Sequence, residues 1–233
     1  MYKLLSLFHD VDHENRRTIL DMVERGDKSK IIDFGCGGGK FTKRIARKVE
    51  TDNIYGVEFF DEAVQLAQKA NITVYRADLN GSLPIEDETF DFVHANQVIE
   101  HLSETDVFIK EIYRILKIGG YAIISTPNLA SLHNIISLIS GKQPFTAHIS
   151  NEVILGNSLD PKHGMEHRNK GEIHLRIFTY SSLKELFEHH GFKIEVIKGV
   201  GYYPFPSIIS RYISCIDKKH AVYLTMKIRK EDK

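Results

Sequence analysis

Residues 31–39 place a short apolar run, an acid (Asp33) and glycines at alternate positions (Gly35, Gly37, Gly39) directly ahead of a helical pattern. This reads as a buried strand turning tightly into a helix, because glycine takes positive φ without strain and lets a ligand approach the backbone. Spacing narrows the ligand. The dinucleotide fingerprint G-x-G-x-x-G needs a third glycine where Lys40 stands, and no G-x-x-x-x-G-K-[ST] occurs. A nicotinamide oxidoreductase and a phosphate-cradling loop are both disfavoured. A second set of residues could move protons near neutral pH, the property of histidine. His101 follows Glu100, and His174 precedes Arg176. His163 and His167 lie four apart, with His148 and His174 nearby in sequence. Pro161 and Gly164 break any helix that would align them, and no cysteine joins them, so no metal site is expected.

The elements that must position these residues follow from periodicity. A helical preface (1–28) with Asp12 as its N-cap runs to about Glu24 and ends at Gly26. Strands are expected at 30–34, 53–58, 73–76, 90–95 and 121–126, the last ended by Pro127. Between them helices are expected at 40–48, at 61–70 with Asp61 as cap and Val64, Leu66 and Ala67 inward, and at 103–116. Five such alternations imply a doubly wound α/β sheet of parallel strands. Ligands in such sheets sit outside the carboxyl ends of the strands, where the strand order reverses. The pattern then changes. Residues 129–175 hold one apolar helical stretch and a long weakly periodic segment, of the kind that often forms a lid. A helix at 180–190, a strand at 193–198, an irregular aromatic segment near 200–219 and a strand near 221–228 complete the chain.

The chain has 233 residues, with 31 Lys+Arg against 31 Asp+Glu. One domain is expected, and no electrostatic footprint for nucleic acid is present. Two cysteines, Cys36 and Cys215, cannot build a disulfide framework, which fits a reducing cytoplasm. The apolar run at 4–8 is too short for a signal-peptide core, and no stretch has the length of a transmembrane helix.

The segment D-x-G-x-G-x-G at Asp33–Gly39 resembles motif I of the class I S-adenosylmethionine-dependent methyltransferases. Glu58 after the second strand, Asp78 in Arg76-Ala77-Asp78-Leu79-Asn80, then Phe90-Asp91-Phe92-Val93 and Leu116-Lys117-Ile118-Gly119-Gly120 occur in the order of that family. The resemblance covers about residues 31–128. It implies a Rossmann-like, seven-stranded, mostly parallel sheet with an antiparallel last strand, and S-adenosylmethionine as cofactor with S-adenosylhomocysteine as product. It also implies roles. Gly35, Gly37 and Gly39 would let the backbone contact the methionine part, and Asp33 would reach its ammonium group directly or through water. Glu58, with Phe59 beside it, would accept from the ribose hydroxyls, and Asp78 from the adenine amino group. Leu79 or Asn80 would touch the ring edge, and Asn96 and Gln97 would lie near the sulfonium. For Glu58 a solvated strand-end charge, and for Asp78 a turn-forming role, are the plainer alternatives. Cys36, inside the loop, reads as a packing residue rather than a nucleophile.

Methyl transfer from a sulfonium is an in-line displacement in which orientation alone can account for roughly 7–11 kcal/mol of barrier. A base is needed only where the acceptor must lose a proton. The Glu100–His101 pair resembles that of ubiquinone-biosynthesis-type O-methyltransferases, which makes His101 the candidate base. A hydrogen-bonded packing residue that orients the loop is the plainer alternative for His101. The resemblance leaves Glu100 as an acid contact, a metal ligand as in some relatives, or a helix-start residue. The segment from His174 to Thr179 resembles one in related enzymes where Thr179 caps a helix, and His174 and Arg176 line a substrate pocket. Arg176 could hold a carboxylate or phosphate, or form a surface ion pair. Two apolar groups concern the acceptor: Leu129, Leu132, Ile135, Ile136 and Ile139, and a cluster that includes Tyr202, Tyr203, Ile208 and Tyr212. They read as core and lid packing, as contacts to an apolar or lipid-linked acceptor or a membrane surface, or as a homodimer face. The expected activity is methyl transfer to a small-molecule, glycan or lipid-linked acceptor, at oxygen, with nitrogen or carbon and a non-catalytic cofactor-binding protein as alternatives.

Overall fold

The computed structural model describes residues 2–167 and 170–232. Its centre is one seven-stranded sheet in the order β3-β2-β1-β4-β5-β7-β6. The strands are β1 (Ile31–Phe34), β2 (Ile54–Glu58), β3 (Thr73–Arg76), β4 (Phe90–Asn96), β5 (Leu116–Pro127), β6 (Phe192–Val200) and β7 (Tyr223–Lys230). Only β7 runs against its neighbours, pairing antiparallel with β5 and β6. The seven helices among the described residues are α1 (Tyr2–Met22), α2 (Lys40–Val49), α3 (Asp61–Lys69), α4 (Thr105–Ile115), α5 (Leu132–Ile139), α6 (Tyr180–His189) and α7 (Ser207–Ile216). From β1 the chain winds outward to β2 and β3, then returns to place β4 and β5 on the other side. The winding therefore reverses between β1 and β4.

Period-two alternation along buried strands loads both faces of the sheet. Ile31, Ile54, Phe92 and Ile123 pack under Ile19 of α1, Ile45 of α2 and Ala67 of α3. Ile32, Phe34, Val93 and Ile124 pack under Phe108 and Ile112 of α4 and Leu183 and Phe187 of α6. A Cβ on Gly56 of β2 would fall 2.5 Å from Cys36 Sγ, so the loop after β1 seats directly on β2.

Several expectations need correction. Asp12 is not an N-cap. It lies inside α1 and pairs with Arg16 one turn later, so the helix starts well upstream of any polar capping signal. Leu66 is half exposed, because α3 buries only Val64 and Ala67. Asp61 is the first helical residue rather than the cap, which is Phe60. The stretch near 200–219 is not irregular, since it contains α7. β5 begins at Leu116 and carries Gly119 and Gly120 as an irregularity within the strand.

One buried polar knot fixes α1 to the sheet. The Asn15 amide donates to Asn96 Oδ1 (3.0 Å) and Ser125 Oγ (2.9 Å), and its Oδ1 accepts from Thr225 Oγ1 (2.6 Å). Asn15, Ser125 and Thr225 are each fully buried. Asn15→Leu would leave these partners unsatisfied, at about 1–3 kcal/mol for a buried polar group. Urea unfolding should show a lowered midpoint at unchanged slope. An unchanged midpoint would remove this knot from the stability account.

Candidate functional site

The loops after β1, β2, β3 and β4 meet at the carboxyl edge of the sheet. Gly35, Gly37 and Gly39 all have positive φ (68°, 52° and 78°), the reason glycine is required in this turn. A Cβ on Gly35 would come within 2.8 Å of Val98, and one on Gly39 within 2.3 Å of Ile72. Gly37 has open space on its Cβ side, so a ligand can approach its backbone there.

Glu58 ties two of the loops together. Its Oε2 accepts from Gly37 N (2.9 Å), and its Oε1 accepts from Phe59 N (2.8 Å) and Phe60 N (3.1 Å). A carboxylate has about four acceptor positions, and three are used, which leaves one for a ligand hydroxyl. Phe59 and Phe60 are exposed beside it. Asp78 shapes its own turn, accepting from Asn80 N and Nδ2 at 2.9 Å, while remaining exposed. Asn80 Oδ1 in turn accepts from Ser103 N and Glu104 N at the start of α4. Leu79 packs against the core and Leu83 lies below it.

Asp33 does not reach outward. It is 5% exposed, and its two oxygens are taken by Thr42 Oγ1 and His94 Nδ1 (2.7 Å). Each oxygen has one of these partners, and from there Asp33 supports the glycine loop from beneath. His94 and Thr42 were not singled out from sequence, yet a signal existed. Asp33 and His94 are partners in the parallel register of β1 and β4, so their side chains must share a face. Cys36 is buried, and burial pushes its thiol up to about 12, which fits packing and excludes a thiolate at neutral pH.

β4 ends in Asn96, whose Oδ1 is held by Asn15, and Gln97, which sits at φ 57° with its N–H donating to Ser125 O. A short 3-10 helix (Ile99–His101) then turns Glu100 inward. Glu100 is 1% exposed. Its Oε2 accepts from Thr126 Oγ1 (3.0 Å), and its Oε1 has no hydrogen-bond partner among the described residues, with His101 Nε2 3.9 Å away. With no cation nearby, burial raises its carboxyl to about 8. His101 uses Nδ1 to donate to Ile173 O (3.0 Å), and His174 uses Nδ1 to donate to Thr146 O (2.9 Å). Both therefore keep Nε2 as a lone pair. One ligand atom from each of Glu100, His101 and His174 lies within 4.8 Å of the others.

That convergence joins His101 and His174, both singled out from the sequence, to Glu100, while the His163–His167 spacing falls in a turn and takes no part. A carboxylate and two neutral imidazoles, each imidazole donating its other N–H to a carbonyl, form a donor set suited to a divalent cation. Local spacing could not show it, because His174 comes from the long segment after β5. The pairing of Leu175 N and Arg176 N with Glu100 O (2.7 and 3.0 Å) brings that segment back onto the 3-10 helix. His148 stacks on His174 with ring centroids 4.5 Å apart and accepts from His174 N.

The remaining sequence candidates lie further out. Arg176 is exposed and donates to Ser103 O (3.1 Å) rather than forming an ion pair. Thr179 caps α6 in a capping box with Ser182, as expected. Tyr202 and Tyr203 are 3% and 4% exposed, so neither offers an open contact surface. Tyr202 donates to Asp217 O (2.8 Å), and Tyr203 packs with Phe8, His133 and Phe145.

A family model described as "Methyltransferase domain" matches residues 7–196. The mitochondrial ubiquinone biosynthesis O-methyltransferase of Rattus norvegicus is 27% identical over 185 residues, covering 76% of this chain and 48% of the relative. The chain thus spans about half the length of that relative. A solved S-adenosylmethionine-dependent methyltransferase from Mesorhizobium loti superposes with a TM-score of 0.61 at 16% identity, over 91% of this chain and 96% of that one. A possible histamine N-methyltransferase from Thermotoga maritima gives 0.60 at 20% identity, over 95% and 91%.

Two measurements test this geometry. Glu58→Ala removes the bridge between the loops after β1 and β2 as well as the remaining acceptor, so affinity for S-adenosylhomocysteine should fall at least ~10-fold, the loss of one hydrogen bond to a charged group. Calorimetry giving an unchanged affinity would exclude Glu58 from the site. The second concerns pH. Burial lowers His133 and His174 to about 3 and His148 to about 4, from an ordinary 6.5. Below 6.5 the unfolded chain binds more protons at these positions than the folded one. Their contribution to stability is complete above that value and is lost as pH falls toward 3. Glu100 acts in the opposite sense, its contribution being lost as pH rises from 4.5 toward 8. His174→Gln should flatten the loss of stability on acidification in denaturant titrations, and an identical slope would count against a buried neutral His174. With more than half the chain matched by the family model, and motif I, Glu58 and the sheet reversal all in place, the chain belongs to the methyltransferase-domain family, on the class I S-adenosylmethionine-dependent scaffold.

Proposed function

We propose that this protein transfers the methyl group of S-adenosylmethionine to a hydroxyl oxygen of its acceptor, and that Glu100, His101 and His174 hold a divalent cation against that hydroxyl. The observation that carries the reading is the convergence of an unpartnered buried carboxylate oxygen and two tautomer-fixed imidazoles beyond the end of β4. In the displacement the S–CH3 bond breaks as the O–CH3 bond forms, and the acceptor oxygen gives up its proton. A bound cation would lower the pKa of a coordinated hydroxyl and so favour that loss. The chain's own residues do the rest. Gly37 and Glu58 seat the cofactor, the segment carrying His174 screens the site from water, and Thr126 fixes the Glu100 carboxyl.

The relatives named as O-methyltransferases support oxygen as the acceptor atom, and the Thermotoga maritima neighbour, with nitrogen in its name, marks how little the scaffold itself dictates. The acceptor is a small molecule, glycan or lipid-linked precursor, and the exposed apolar residues of α5 and α7 favour the lipid-linked class among these. A second reading keeps His101 as a general base without any cation, favoured by its free Nε2 and by burial, which lowers its pKa and keeps it neutral.

Transfer of label from methyl-labelled S-adenosylmethionine into fractionated extract tests the activity. No labelled product in any fraction would leave the non-catalytic reading. His101→Ala should reduce turnover about 100-fold or more, the usual scale for proton transfer, with S-adenosylhomocysteine affinity unchanged. Chelator should abolish activity and added divalent cation should restore it. Full activity in chelator with the His101→Ala loss intact would select the general-base reading.

A further inference from the structure

Helices α5 and α7 are built the wrong way round for a water-facing surface. α5 buries His133, Asn134 and Ser137 and turns Leu138 and Ile139 out, the latter 82% exposed. α7 buries only Ser210 and exposes Ile208, Tyr212 and Ile216, at 83%, 71% and 72%. Of the polar groups turned inward, Asn134, Ser137 and Ser210 are hydrogen-bonded, whereas His133 has a contact at Nε2, to Ser131 Oγ (3.3 Å), and none at Nδ1 among the described residues. Asn134 Nδ2 donates to Asn128 O and Thr146 Oγ1, Ser137 Oγ to His133 O, and Ser210 Oγ accepts from Tyr202 N. The inversion is thus held in place by hydrogen bonds, and the apolar side chains are left for something else to cover.

The two helices belong to one part of the molecule. Leu132 N, at the start of α5, donates to His220 O, and Asn128 Nδ2 donates to Lys219 O and Ala221 O in the turn after α7. Charge identifies the cover. Neither helix contains an acid, and α7's one base, Arg211, is paired with Glu14. Lys218 and Lys219 come one residue after α7, beyond Asp217, and are exposed. The nearby acid, Asp217, is engaged by His220. A second copy docking face to face would bring this same acid-free surface against itself and offer nothing to the lysines. Helices of eight and ten residues are too short to cross a bilayer, and no helix among the described residues is long and apolar enough to do so.

We propose that α5 and α7 lie in the headgroup boundary of an anionic lipid surface, with Ile208, Tyr212 and Ile216 inserted and Lys218 and Lys219 on the lipid phosphates. Amphipathic helices with basic flanks bind in this way, by apolar burial together with attraction to anionic headgroups. Both helices lie in the chain after β5, in the same region as the segment that delivers His174 to Glu100. The lipid surface would therefore lie on the acceptor side of the molecule. This does not depend on which acceptor is methylated.

The test is co-sedimentation of the full chain with vesicles. Phosphatidylcholine containing a minority of phosphatidylglycerol should retain the protein, and pure phosphatidylcholine should retain it far less. High salt should weaken the binding. Lys218→Gln with Lys219→Gln should lower the affinity for anionic vesicles roughly tenfold or more. Ile208→Ser with Tyr212→Ser and Ile216→Ser should abolish it. Both variants change exposed side chains, and each should keep its S-adenosylhomocysteine affinity, which confirms folding. The proposal is overturned by the absence of vesicle binding, by equal binding to both vesicle types, or by binding the substitutions leave intact. It is equally overturned if analytical ultracentrifugation shows a dimer that the Ile208, Tyr212 and Ile216 substitutions dissolve.

Discussion

The contact between Asp33 and His94 spans β1 and β4, the two strands between which the sheet reverses its winding. Helices on the two sides of that reversal leave the carboxyl ends of these strands uncovered, and the ligand crevice opens there. A carboxylate buried at this point is costly unless it is partnered. Thr42 from the first turn of α2 and His94 from β4 supply the partners, so one buried group joins a strand, its neighbour and the helix that follows the glycine loop. The loop above is thereby held in its positive-φ course without the acid leaving the interior. Glu58 does the matching work from β2, gripping Gly37 N from the open side.

Glu100 is the second post. Its backbone oxygen receives two N–H groups from residues 175 and 176, and its side chain receives the Thr126 hydroxyl from β5. The long segment after β5 is thus tied to the end of β4 by main-chain bonds, and His174 arrives at His101 as a consequence, with ring centroids 5.0 Å apart. The carboxyl oxygen left without a partner is the local cost of this arrangement, and the raised pKa of Glu100 expresses it. That oxygen is one of six buried side-chain atoms without a hydrogen-bond partner among the described residues, and the one that faces two imidazoles.

The two posts divide the labour of the site. The Asp33 side is buried and, on the proposed reading, belongs to the methyl donor. The Glu100 side depends on a segment packed largely by side-chain hydrogen bonds: Asn134 to Thr146, Asn157 to Ser137, His174 to Thr146. Such packing contributes little apolar burial, and on the proposed reading this is the side that meets the acceptor. The outward apolar faces of α5 and α7 extend the same pattern to the surface.

Local chemistry made much of the fold legible. Alternating strand and helix patterns from residue 30 to residue 126 matched the observed elements to within a few residues, because each apolar run was bounded by glycine, proline or an acid. The turn at Gly35, Gly37 and Gly39 and the strand-end place of Glu58 were legible because each is set by backbone conformation a few residues away. The sequence did not reveal that Asp33 faces inward, because its orientation depends on the register with His94, sixty-one positions on. It did not reveal the Glu100, His101 and His174 set either, because 72 positions separate the His101 ring from the carbonyl of Ile173 that orients it. Nor did it show that α5 buries its polar side, since an apolar helix normally packs its apolar face inward and only the hydrogen bonds of Asn134 and Ser137 reverse that. Motif and periodicity are short-range properties, and they determined the sheet and the methyl-donor loop. Which distant side chains share a buried space is decided only when the sheet closes, and the acceptor side of this protein was decided there.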